Sequence, residues 1–239
     1  MFYLCCGMNQ SGRANTCLIG KHPSGKDLDE AISASEAFII KYKNKLLIAV
    51  SAVVLIVVAI LGYKQFIYEP REVKASEALF VGEQYFQNDQ YELALNGDSA
   101  NFAGFATVAK EFSGTAAGNL ATAYAGLCCA HLEKFDEAVK YLDQFTGNDQ
   151  LVGPAVKAAL GNCYVNLGQE EKGAELLVKA AKDADSQALS PVYYIQAGQV
   201  YEKLNKNAEA LKLYQTVKEK YFQSYLSIEI DKYIERVSK

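Results

Sequence analysis

The sequence predicts an all-α chain in which a single N-terminal membrane-spanning helix is followed by an α-solenoid of helical hairpins and a C-terminal capping helix. Three observations predict it. Residues 46–62 (LLIAVSAVVLIVVAILG) carry no charge and only Ser51 as a polar side chain. Glycines at 82, 126, 161 and 198 are each followed twelve residues later by a small residue, Ala94, Ala138, Gly173 or Ala210. Turn and cap residues recur between the apolar stretches, as a helical repeat requires. With 50% hydrophobic and 22% charged residues the chain can bury a core. A net charge of -4 removes a generally basic nucleic-acid binder.

The first element is a segment of residues 1–45, poor in core-forming material except for residues 28–42, where Leu28, Ile32, Phe38 and Ile39 recur at helical spacing. Met8 offers an alternative start after the opening MFYLCCG, so no function is placed on Cys5, Cys6 or Cys17. The second element is the span, residues 46–63. At 1.5 Å per residue a helix of about 18 residues reaches roughly 27 Å, close to the roughly 30 Å of a hydrocarbon core. Tyr42 and Tyr63 flank it with Lys41, Lys43, Lys45 and Lys64, the aromatic and snorkelling residues of a headgroup boundary. The run is too long, and too far from Met1, for a cleaved signal peptide. The three lysines before it outweigh Lys64 after it and favour residues 1–45 in the cytoplasm.

The third element, residues 71–239, holds the repeat. Three segments align: YAGLCCAHLEKFDEAVKYLDQF (124–145), ALGNCYVNLGQEEKGAELLVKA (159–180) and QAGQVYEKLNKNAEALKLYQTV (196–217). Two close-packed antiparallel helices need a small residue in each where they cross, and the glycines with their followers meet that need. Leu132, Leu167 and Leu204 end the first helices, and the next residues are Glu133, Gly168 and Asn205, of which the last two take left-handed backbone readily. Ser190-Pro191 reads as N-cap and first residue of a helix, Pro154 as another first residue, and Thr115 as a cap. A degenerate earlier copy, ALFVGEQYFQNDQYELAL (78–95), carries an insertion of about nine residues in NGDSANFAG, with a second helix from Phe105 to Phe112. The repeats fall at about 72–113, 115–147, 152–184 and 190–222. The cap, 224–239, has Ile230, Tyr233, Ile234 and Val237 on one face.

These spacings are the marks of tetratricopeptide repeats. The arrangement over residues 28–239 resembles membrane-anchored bacterial tetratricopeptide proteins. It is most similar to those related to the ancillary subunit of the Sec translocon and to the periplasmic cell-division coordinator domain, as they occur in the Bacteroidetes. The resemblance implies a single-pass anchor in the bacterial inner membrane through residues 46–63, with the repeats in the periplasm. It also implies partners that are proteins or extended peptide segments, among them translocating envelope proteins or the translocase itself, and no catalysis. Residues 1–27 depart from the family pattern.

A helical-pair solenoid exposes its first helices on the concave side, and residues one, four and five places after each glycine are expected in that groove. They are Glu83, Phe86 and Gln87; Leu127, Ala130 and His131; Asn162, Val165 and Asn166; and Gln199, Glu202 and Lys203. Amides there hydrogen-bond a peptide backbone without demanding a sequence, and Phe86 and Leu127 hold apolar side chains. Upstream groove positions are Ala123, Ala158 and Ile195, without the basic residues that would clamp a carboxylate terminus.

No catalytic, cofactor-binding or metal-binding residue is assigned. His22 and His131 are the two histidines, and they lie on opposite sides of the expected span. No Cys-x-x-Cys or paired-His spacing points to a metal, and no small-molecule substrate or nucleic acid is indicated. Gly20-KHPS-Gly25-Lys26 mimics a phosphate-binding loop, but Asp27 stands where Ser or Thr would reach magnesium. Cys128, Cys129 and Cys163 fall where a first helix faces the core, and Cys behaves there as a small hydrophobe. Together with the resemblance, this gives as the expected function a non-catalytic scaffold that holds clients at a translocase or envelope complex. A self-assembling structural element and a cytosol-facing tethered adaptor are the alternatives.

Overall fold

The computed structural model describes residues 25–98, 101–147 and 149–238, with side chains from Tyr42 onward. The expectations placed on Met8, Cys5, Cys6, Cys17, His22 and most of the 20–27 loop fall outside them, as do the side chains of the 28–41 stretch. Every regular element among the described residues is helical. The described residues divide into two compact units, one ending at Leu61 and the other beginning at Gly62.

In the first unit, helix α1 (Gly25–Tyr63) carries the uncharged run. Its large apolar side chains from Leu46 to Leu61 stand 47–69% exposed. One continuous helix, Tyr42–Gln87, is long and apolar enough to cross a membrane.

The backbone stays helical where the sequence separates span from repeats. Residues Lys64–Tyr68 are π-helical and run into α2 (Glu69–Gln87). Pro70 explains the widening. Its ring would press on the carbonyl four residues earlier in an α-helix and it donates no N–H, so one wider turn relieves both problems. The Glu69 N–H donates to the Lys64 carbonyl in place of the α-helical bond.

The second unit is built from one turn used four times. Helices α2 and α3 (Tyr91–Asn96), α5 (Ala116–His131) and α6 (Phe135–Leu142), α7 (Val152–Asn166) and α8 (Glu170–Ala184), and α9 (Ser190–Lys203) and α10 (Asn207–Lys220) form hairpins. In each turn one residue is left-handed: Asp89, Glu133 and Asn205 at φ 58°, Gly168 at φ 77°. The next N–H reaches back five residues, Gln90 to Tyr85, Lys134 to Cys129, Gln169 to Tyr164 and Lys206 to Tyr201, at 2.8–2.9 Å. This satisfies a carbonyl that the helix end leaves open. The small residue of each returning helix, Ala94, Ala138, Gly173 or Ala210, then donates to the carbonyl of that same turn residue at 2.8–3.1 Å.

The glycines sit where the hairpin arms touch. A Cβ on Gly126 would lie 2.6 Å from Leu142, and one on Gly198 would lie 2.4 Å from the Tyr214 ring. On Gly82 it would meet the rings of Phe105 and Phe102 at 2.4 and 2.5 Å. The insertion supplies Phe102, and Phe105 opens the helix that follows it, α4 (Phe105–Glu111), which packs on α5. Beyond α10, a 3₁₀ turn (Tyr225–Glu229) leads to α11 (Ile230–Val237), which packs on α10 and buries Ile230 and Val237.

Two helix starts differ from expectation. Ser190 lies inside α9, where its buried hydroxyl accepts the Ser186 N–H (2.9 Å), and Pro191 therefore falls one place further in. Pro154 is the third residue of α7. Its start is held instead by the Asp149 carboxylate, which accepts from the N–H groups of Leu151 (2.8 Å), Val152 and Gly153.

Candidate partner-binding groove

The N-terminal ends of α5 and α7 are anchored before any groove is formed. Thr115 Oγ1 accepts the Gly118 N–H at 3.0 Å, and Glu72 of α2 accepts from Ala116 and Ala117 at 2.7 and 2.9 Å. A carboxylate placed on open N–H groups also meets the positive end of the helix dipole. Asn119 exchanges two hydrogen bonds with the backbone of Thr146, at 2.7 and 3.0 Å, tying the connection before α7 to α5. Asp149 then caps α7, and those backbone bonds hold its carboxyl below the usual carboxylate range.

Between these fixed ends lies an apolar groove of about 220 Å³, lined on α5 by Leu120, Ala123, Tyr124 and Leu127 and on α7 by Val152, Ala155 and Val156. Leu151 and Leu189 complete it without a charged side chain. Leu151 is 65% exposed on the rim. Such a site accepts apolar side chains and gives nothing for an ionic group to pair with.

Of the residues the sequence placed in the groove, Leu127 and the upstream Ala123 line it. Phe86 is half-buried in a cluster of rings, edge-on to Tyr91 (5.3 Å), Tyr124 (5.2 Å) and His131 (5.8 Å). His131 is exposed at its edge and stacks on Tyr91 at 4.2 Å and 3°. Tyr124 stacks on Phe105 at 4.9 Å, and burial, then a hydrogen bond to Glu83, pushes its phenol up to about 12. Glu83 is thereby engaged, while Gln87 is exposed.

On α7, Asn162 is half-buried and its carbonyl accepts from the exposed Asn166 amide at 2.9 Å. Ala130 packs against the core, and Val165 packs where Gly173 passes. On α9, Gln199 is exposed and Lys203 pairs with Glu170 at 2.5 Å. Glu202 is tied to the closing helix: Arg236 donates to both its oxygens at 2.7 and 2.8 Å, and Tyr214 donates to it as well. Burial raises this carboxyl, but the bonds from Arg236 and Tyr214 outweigh it and hold it below its ordinary value. Phe86, Ala130, Val165 and Glu202, the residues four after each glycine, thus all meet packing or hydrogen-bond partners, whereas of those one after it Gln199 stays exposed.

The helical groove residues that the glycine rule leaves out include Leu120, Tyr124, Val152, Ala155 and Val156. Their signal is helical spacing, since Leu120 and Ala155 lie two turns before Leu127 and Asn162. Leu151 and Leu189 come from connections, where no periodicity marks them. The thiols stay apart from all this. Burial pushes Cys128 up to about 12 and Cys129 and Cys163 up to about 11, so they remain protonated at neutral pH and act as packing groups. Among the described residues no His, Cys, Asp or Glu cluster suits a metal ion.

The sequence matches no protein-family model and no curated protein.

Proposed function

We propose that the chain is a membrane-anchored protein-binding scaffold whose hairpins are tetratricopeptide repeats, and that the α5–α7 groove holds apolar side chains of extended client segments. The observation that carries this reading is the uncharged groove between two firmly capped helix ends, in a domain that repeats one hairpin turn four times. Repeat domains of this kind present such surfaces to protein segments. Exposed amides on the following first helices, Asn166 and Gln199, supply backbone hydrogen bonds that do not select a sequence.

On this reading the repeats face the periplasm of a bacterial inner membrane and the clients are translocating or assembling envelope proteins, held near a translocase. The lysine-rich edge before residue 46 supports that orientation. Two measurements test it. A reporter active only in the periplasm, fused after Lys239, is expected to give signal, and signal from a cytoplasm-only reporter overturns the sidedness. Crosslinking of the full chain in its native membranes is expected to capture exported proteins that Leu127→Asp releases, and an unchanged set of adducts overturns the groove.

A further inference from the structure

We propose that the turn joining α10 to α11 is a docking site for a lipid interface, inserting Phe222, Tyr225 and Ile228 into the headgroup boundary of a bilayer. The proposal rests on the reading of residues 46–63 as a membrane span. Residues 221–228 (YFQSYLSI) contain no charge. Phe222, Tyr225 and Ile228 are 65%, 72% and 81% exposed, among the most exposed large apolar side chains of the repeat domain. Tyr225 and Ile228 are three apart in a 3₁₀ turn, the spacing that places two side chains one above the other.

The turn answers most of its own polar groups. Tyr221 is buried beneath it, the Ser224 N–H donates to the Tyr221 carbonyl at 2.9 Å, and the Ser224 hydroxyl accepts from Leu226. The Ser227 hydroxyl is within reach of the Phe222 and Ser224 carbonyls at 2.9 and 2.7 Å, and its N–H donates to Ser224 at 3.0 Å. An apolar medium penalises backbone and hydroxyl groups that are left unsatisfied, and this turn meets most of that demand before it leaves water.

The composition selects lipid over an ionic partner. An aromatic, a phenol and a branched aliphatic are residues that settle at a membrane boundary. Lys218, Lys220 and Lys232 border the turn, each paired with a carboxylate, Asp231, Asp185 and Glu229 respectively. The border is close to neutral, so docking depends on apolar insertion and not on anionic lipid.

The chain contains no Trp, so Phe222→Trp in the full chain places a single indole on the turn. It is reconstituted in phosphatidylcholine vesicles whose acyl chains carry bromine either near the headgroup or near the chain end, with Leu55→Trp as the probe of the span. The expected result is a blue-shifted Phe222→Trp emission quenched more by shallow than by deep bromine, with that quenching lost in an added Ile228→Asp background. The emission of a water-exposed indole overturns the proposal. A blue shift without bromine quenching also overturns it and places the turn against a second copy. If Leu55→Trp is unquenched, the membrane reading itself fails and the proposal falls with it.

Discussion

The hairpins α5–α6 and α7–α8 share one turn and one glycine rule, yet they close differently. Gly126 is covered chiefly by the side chain of Leu142, whose Cγ would lie 2.6 Å from an added Cβ, whereas Gly161 and Gly173 face each other through backbone: a Cβ on Gly173 would lie 2.5 Å from the Gly161 carbonyl oxygen. A leucine can shift by rotamer, but a helix backbone cannot without moving its neighbours. The same repeat signal therefore marks a tolerant contact in one hairpin and a rigid one in the next. The rigid pair stands beside the amide-bearing face, and the tolerant one beside the apolar groove.

Gly173→Ala breaks this comparison most sharply. Adding a methyl against a carbonyl costs about 3 kcal/mol, of which higher helix propensity returns less than about 1. Gly126→Ala, against Leu142, is expected to cost about 1 kcal/mol. Chemical denaturation of the two variants checks the order, and equal losses contradict the distinction.

At the other end of the domain, Arg236→Ala removes a two-pronged charge-assisted contact from Glu202 and is expected to cost about 1–2 kcal/mol. The same carboxylate gives a pH signature. Because its folded pKa lies below the ordinary value of 4.5, its contribution is present above that value and lost as pH falls through the folded one. Acid titration of wild type and Arg236→Ala tests this, with the gap between their stabilities expected to close at low pH.

The smallest effect sharpens the account of the turn. Glu133 holds a left-handed backbone at φ 58° where its counterpart Gly168 does so freely. Glu133→Gly is expected to raise stability by up to about 1 kcal/mol, read by thermal unfolding. A loss would mean that the Glu133 side chain contributes more than its strained backbone costs.

Much of the helix order was legible because its signals are short-range. The apolar run, the recurring glycines, the helix Phe105–Glu111 that follows the insertion and the Thr115 cap each depend on a few neighbouring residues. What the sequence hid depends on distant contacts. Asp149 and not Pro154 secures the start of α7, because its carboxylate, three residues before the helix, accepts the open N–H groups of Leu151, Val152 and Gly153. Glu72 reaches across from α2 to cap α5, more than forty residues away in sequence, and no local pattern announces it. The groove was half visible: Leu127 follows from the glycine rule, but Leu151 and Leu189 arrive on connections whose path only the fold defines. Glu202 shows the converse. It sits at a groove position by spacing, and Arg236, brought by the closing helix, occupies it.

The most direct test of the account places a photoreactive residue at 127 or at 199 in the full membrane-bound chain and compares the adducts. The apolar groove predicts its highest yield of client adducts at 127, weakened by Leu151→Asp, and a lower yield at 199, where an exposed amide meets only the peptide backbone. Adducts of equal yield at both positions, or at 199 alone, would contradict the assignment of client binding to the α5–α7 groove.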